Sequence, residues 1–140
     1  EDSYAIPFGE ANVLRDGDDA TIVTYGRMVH YATEAAEKIA KEGIQVDVID
    51  LRTTSPLDEE TILESAERTG RVVVVDEANR RCSMATDISA LIAERAFHSL
   101  KAPIELVTAP HTPVPFSGVL EDMYIPSPEQ IAAAVRKVRS

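Results

Sequence analysis

The sequence predicts an α/β fold, a mostly parallel sheet with helices packed on both faces, and three observations carry that expectation. Short β-branched runs alternate with amphipathic stretches of helical period along almost the whole chain, the pattern that βα units impose. The run Val72-Val73-Val74-Val75 is uninterrupted, as in strands buried on both faces. Glycines and capping residues fall at the changes of period, at Gly26, Gly43 and Gly70 and again at Ser127-Pro128.

In order along the chain, residues 1–10, with Ile6-Pro7-Phe8-Gly9, read as a linker, and 11–140 as one domain. Ala11-Asn12-Val13-Leu14-Arg15 is expected as an extra edge strand that ends in an Asp16-Gly17 turn. Thr21-Ile22-Val23-Thr24-Tyr25 follows as a short strand ending at Gly26. From Met28 the stripe Met28, Ala32, Ala35, Ala36 and Ile39 predicts a helix, with Gly43 as its C-terminal stop. Ile44 to Leu51 reads as a second buried strand. Ser55-Pro56-Leu57-Asp58 reads as a helix start, with a capping serine, proline in the first turn and acids at Asp58, Glu59 and Glu60 on the positive end of the dipole. Ile62, Leu63 and Ala66 form its inner face and Gly70 ends it. After the valine strand, a long helix is expected from about Ser83 to Leu100 on Met84, Ile88, Leu91, Ile92 and Phe97. Ile104 to Thr108 gives another strand. Ser127 with Gln130 forms a capping box that opens a last helix on Ile131, Ala134, Val135 and Val138.

The stretch from Thr112 to Ile131 departs from this regularity. Its prolines, Pro113, Pro115 and Pro126, argue against a helix or a central strand before Ser127. Yet Val114, Phe116, Val119, Leu120, Met123, Tyr124 and Ile125 make it too apolar for an ordinary solvated loop. A long connection that carries its own apolar anchors either covers its own core or meets another domain or subunit.

Composition narrows the function classes. The 140 residues fit one domain with a real core, and 44% hydrophobic with 27% charged residues is a globular balance. No apolar run approaches the ~20 residues of a membrane span, and no secretory signal opens the chain. The start, Glu1-Asp2-Ser3 without Met, suggests a fragment or a processed product. One cysteine, Cys82, forms no internal disulfide and suits a reducing cytoplasm. A net charge of −10 argues against nucleic acid and is compatible with a basic protein partner.

Chemistry is sparse in this sequence. Tyr25-Gly26-Arg27 offers one glycine where a phosphate-cradling loop needs several. His30, His98, His111 and Cys82 lie without metal-ligand spacing. Asp76-Glu77 and His111 fall at carboxyl ends of strands, where open sheets place ligands, but capping the next turn is the plainer use of Asp76. Ser117 has no nearby base, and Gly-x-Ser-x-Gly is absent. No catalytic, cofactor-binding or metal-ligating set is expected in this chain.

Two stretches carry a family resemblance. Ile44 to Asp58, with Asp50-Leu51-Arg52 and Pro56-Leu57-Asp58, resembles the signature of the transketolase C-terminal domain. Pro113-Val114-Pro115-Phe116-Ser117, then Leu120-Glu121-Asp122 and Ile125-Pro126-Ser127, resembles the C-terminal segment of β subunits of thiamine-diphosphate-dependent 2-oxo acid dehydrogenases, nearest the pyruvate and acetoin members. The resemblance spans almost the whole chain.

The resemblance implies a three-layer α/β/α sandwich on a five-stranded sheet, four strands parallel and one edge strand antiparallel. It implies a bacterial, cytoplasmic oxidoreductase assembled as a heterotetramer of two α and two β subunits. In such enzymes thiamine diphosphate and magnesium are held by the α subunit and by the N-terminal half of the β subunit, so this chain alone is expected to bind neither and to be inert. Its expected tasks are subunit packing and docking of the small, basic subunit-binding domain of the acyltransferase. The residues expected at partner contacts are Lys101, Pro113, Pro115, Phe116, Leu120, Glu121, Asp122 and Tyr124. Lys101 departs from the pattern of many pyruvate-type relatives, which carry an acid before this Ala-Pro. The alternative is the C-terminal domain of a single-chain transferase, such as deoxyxylulose phosphate synthase or transketolase.

Overall fold

The computed structural model describes residues 4–140; residues 1–3 of the expected linker lie outside them. Five strands form one sheet in the order β1-β3-β2-β4-β5. These are β1 (Asn12–Asp18), β2 (Ala20–Thr24), β3 (Val46–Asp50), β4 (Val72–Asn79) and β5 (Glu105–Ala109). β1 runs antiparallel to β3 and every other pairing is parallel. The helices are α1 (Met28–Ala40), α2 (Glu59–Thr69), α3 (Met84–Arg95), α4 (Gly118–Tyr124) and α5 (Pro128–Arg139).

The alternation of side chains along the strands divides the core in two. Ile22, Val46, Val48, Val73 and Val75 pack against Met28, Ala32, Ala36 and Ile39 of α1 and Ile131 and Val135 of α5. Val23, Ile49, Val72 and Val74 pack on the other face against Ile62 and Ala66 of α2 and Ile88 and Ile92 of α3. The expected three layers are therefore present, with α1 and α5 on one side and α2 and α3 on the other.

Four local expectations are corrected. The Asp16-Gly17 turn is instead strand: β1 continues to Asp18, with its ladder to β3 shifted after Val13 and after Arg15. Gly17 is there for space, because a Cβ would lie 2.4 Å from the Val46 nitrogen. Ser55 does not cap α2. The Thr54–Leu57 bridge turns the chain first, and Asp58 accepts the Thr61 N–H at 3.1 Å. The expected Ser83–Leu100 helix closes at Arg95, a 3₁₀ turn follows at Phe97–Ser99, and Phe97 points to solvent. Finally, Pro113 and Pro115 precede Gly118, so nothing stops α4 from forming between Pro115 and Pro126. The capping box of α5 is present as expected, with reciprocal bonds between Ser127 and Gln130.

Candidate interaction surface

The strand order reverses between β2 and β4. β2 connects through α1 to β3 on one side, and β3 returns through α2 to β4 on the other. Ligands of open α/β sheets bind at the carboxyl ends of strands at such a point. Here those ends carry Tyr25 and Asp76. Asp76 is buried; its Oδ1 accepts the Ala78 N–H at 2.9 Å, the turn-capping role expected of it. Its Oδ2 has no hydrogen-bond partner among the described residues. Burial, and then the neighbouring Asp76, push the Tyr25 phenol well above its ordinary value, so it stays protonated. His111 lies nearby but exposed, its Nδ1 3.1 Å from Asn79 Oδ1. Among the described residues no three His, Cys, Asp or Glu side chains gather as metal ligands.

What distinguishes this end of the molecule is exposed apolar surface. After β5 the chain rises through Pro113 and Pro115 to Phe116, which is fully exposed, and then into α4. Val119 is 74% exposed and Met123 77%, with Val114 and Leu120 also outward. The same segment is held down at its far end. Tyr124, Ile125 and Ala109 form a small buried cluster against Tyr31, and the Tyr124 hydroxyl donates to the Thr112 carbonyl at 3.4 Å. The segment thus has a buried root and an exposed crown. The linker adds to this end: Tyr4 and Phe8 are exposed, and the Gly9 N–H is tied to Thr53 Oγ1 at 2.9 Å. Ile6, Pro7 and Phe8 wall an open recess of about 490 Å³ beside Gly26, Val29 and His30.

The residues expected at partner contacts therefore divide. Phe116, Leu120, Glu121 and Asp122 share the exposed crown, with Pro113 exposed and Pro115 half-buried at its base. Tyr124 belongs to the root. Lys101 lies at the opposite end of the sheet, just before β5 begins. Its Nζ donates to the Thr69 carbonyl at 2.9 Å, and its stem lies across Gly70. A cation on the last carbonyls of α2 is a favourable helix-end contact, which is a local reason for lysine at this position. Tyr4, Ile6 and Phe8 of the linker carry no sequence signal for this surface, whereas Val114, Val119 and Met123 are among the apolar anchors expected of the segment. Isolated apolar residues between prolines and acids carry no periodic signal, although the excess of such residues in one segment did mark it.

The amino end is built the other way. Asp47 is buried and accepts the Gly17 N–H at 2.8 Å, the Ser65 hydroxyl and Arg68. Thr21 Oγ1 lies 2.6 Å from Ser65 Oγ and 2.8 Å from Thr69 Oγ1. Arg68 also reaches Asp16 and Asp18 of β1. Burial pushes the Asp47 carboxyl above its ordinary value, opposed by Ser65, Gly17 and Arg68.

Comparison with known proteins shows the family. The profile of the transketolase C-terminal domain matches residues 9–131. The chain is 67% identical over 137 residues to the acetoin:2,6-dichlorophenolindophenol oxidoreductase subunit beta of Cupriavidus necator, covering 98% of this chain and 40% of that protein. It is 45% identical over 138 residues to the pyruvate dehydrogenase E1 component subunit beta of Bacillus subtilis, covering 99% of this chain and 42% of that protein. Among solved structures, a split-gene transketolase described as an inactive beta4 tetramer superposes with a TM-score of 0.83 at 29% identity, over 97% of this chain and 43% of that one.

Proposed function

Because the chain belongs to the transketolase C-terminal domain family, we propose that it is the C-terminal domain of the β subunit of a thiamine-diphosphate-dependent dehydrogenase acting on acetoin or a 2-oxo acid, and that it serves assembly rather than chemistry. It spans about two fifths of the length of the subunits it resembles, so the activity belongs to the whole enzyme. The observation that carries the assembly reading is the exposed crown. Five large apolar side chains of one segment, Val114, Phe116, Val119, Leu120 and Met123, face solvent while the root of the same segment is buried. Contiguous exposed apolar surface of this kind marks protein contacts.

The partners are the α subunit and a second β subunit, in a heterotetramer of two of each, with the acyltransferase's subunit-binding domain docking on the assembled enzyme. The enzyme works in the bacterial cytoplasm; no helix of the described residues is long and apolar enough to cross a membrane. Thiamine diphosphate, which supplies the carbanion chemistry when bound, does not fit the residues of this chain. The loop after β2 offers Gly26 alone, the buried Asp76 carboxylate stands at the switch point where an anion would sit, and among the described residues no three His, Cys, Asp or Glu side chains gather to hold its magnesium.

The test is co-expression of the full-length β subunit carrying Phe116→Asp and Leu120→Asp with its α subunit. Size-exclusion chromatography should then return separate, folded subunits, because two carboxylates would be buried without partners. An intact complex at wild-type yield would refute the assembly reading.

A further inference from the structure

The parallel strands β2 and β3 end side by side, with Thr24 paired to Asp50, and the open recess of about 490 Å³ lies at these ends. Its lining joins Ile6, Pro7 and Phe8 of the linker to Val29 and His30 of α1. The loop after β3 adds Arg52 and Thr53. The linker is fixed against that loop. The Gly9 N–H donates to Thr53 Oγ1 at 2.9 Å and the Ala11 N–H to Asp58 Oδ2 at 2.8 Å, and a Cβ on Gly9 would lie 3.1 Å from Pro56 Cγ. Tertiary contacts therefore anchor the wall that carries Ile6 and Phe8.

The polar groups of the recess lean to one charge. Arg68, Arg95, Arg136 and Arg139 each pair with a carboxylate. The Arg52 side chain and the His30 ring have no hydrogen bond or ion pair among the described residues, although both line the recess. Asp50, the one carboxylate in the lining, already accepts the Arg52 N–H through Oδ1 at 3.0 Å. The first turn of α1 carries no acid and no side-chain cap, so the positive end of its dipole stays open beside His30. Arg52 also holds a left-handed backbone, with φ 55°, a costly conformation for a side chain that gathers at ligand clamps. In a chain of net charge −10, a recess of this sign is an exception.

From these features we infer that the recess binds a small organic oxyanion, a carboxylate or phosphate carried on a flat apolar body. Arg52 and His30 take the oxyanion, and Ile6, Phe8 and Val29 lie against the body. A guanidinium forks onto either oxyanion through two parallel N–H bonds. A mostly apolar pocket with a few placed polar groups is the usual form of a small-molecule site. One guanidinium and one imidazole suit a single oxyanion, not a diphosphate. The inference stands apart from the assembly reading, because no residue of the α4 crown lines the recess.

The experiment is titration of the 140-residue chain with phenyl phosphate and with benzoate, followed by amide nuclear magnetic resonance, which also shows that each variant folds. Benzyl alcohol and inorganic phosphate probe each half of the ligand alone. Phenyl phosphate or benzoate should bind saturably and move the amides of Gly26, Val29 and Thr53, and the tighter of the two identifies the oxyanion. Arg52→Asn keeps a residue that tolerates the left-handed backbone, and should weaken that probe about tenfold or more. Phe8→Ala, at an exposed position, should weaken it roughly threefold and leave inorganic phosphate unaffected. No saturable binding, shifts confined to other parts of the domain, or an affinity indifferent to Arg52→Asn would overturn the inference. So would benzyl alcohol or inorganic phosphate binding as tightly as the tighter probe, because one half of the ligand would then contribute nothing. None of these readouts involves subunit assembly, so failure here leaves the crown reading intact.

Discussion

The two ends of the sheet solve opposite problems. At the amino ends of the parallel strands, polar groups turn inward: Asp47 is sealed beneath Gly17, Ser65 and Arg68, and Lys101 lies on the last carbonyl of α2. At the carboxyl ends, apolar groups turn outward on α4 and on the linker. A buried charge with its donors in place holds one arrangement of the chain, because losing any partner leaves a desolvated group. An exposed hydrophobe adds nothing to the domain's own stability and is useful only when something covers it. The amino end therefore reads as a device for folding and the carboxyl end as a device for association.

That contrast is broken most severely at Asp47. Asp47→Asn keeps the volume but can turn an amide N–H₂ toward the Ser65 and Arg68 donors that share one carboxylate oxygen, and should cost about 3 kcal/mol in urea unfolding. A loss below about 1 kcal/mol would mean that Arg68, which is partly exposed, finds water instead.

The next test lies within the 112–126 segment. Tyr124→Ala removes the root and should cost roughly 2–3 kcal/mol, somewhat below a fully enclosed aromatic because its cluster is small. Phe116→Ala, in the crown, should stay within about 0.5 kcal/mol. Equal losses at the two positions would erase the distinction between root and crown.

Asp58 gives a smaller, pH-dependent effect. Burial raises its carboxyl, but the N–H groups of Ala11 and Thr61 and the Thr61 hydroxyl outweigh burial and hold it below its ordinary value. A depressed folded value means the contribution is present above about pH 4, the unfolded range, and is lost as pH falls through the folded value. Asp58→Ala should cost about 1–2 kcal/mol at pH 7, and the gap to the parent should narrow on acidification, as followed by melts across pH 7 to 3.

Most of the fold is legible in the sequence alone. Period and punctuation gave the strand and helix sequence, because Met28, Ala32, Ala35, Ala36 and Ile39 can face one core in only one way. The errors came where short-range chemistry competed. Ser55, Pro56 and Asp58 all carry helix-start signals, and only the Thr54–Leu57 bridge decides that Asp58 wins. Gly17 looks like a turn residue, yet it is required by close backbone contact with Val46, a long-range fact that no local pattern carries. Phe97 fits the helical stripe, but the helix ends before it. For the site, wording alone marked the 112–126 segment as an interaction surface without dividing root from crown. Lys101 was expected at a docking contact from the resemblance alone, and its separation from that segment across the sheet depends on the direction of β5.

The most direct test of the association reading is hydrogen–deuterium exchange on the full-length β subunit, free and assembled with α. Assembly should slow exchange across Phe116–Met123 while leaving Gly17 and the other amides of the Asp47 cluster unchanged, since these are already protected by the fold. Unchanged exchange in the crown, with protection appearing only elsewhere, would contradict the account.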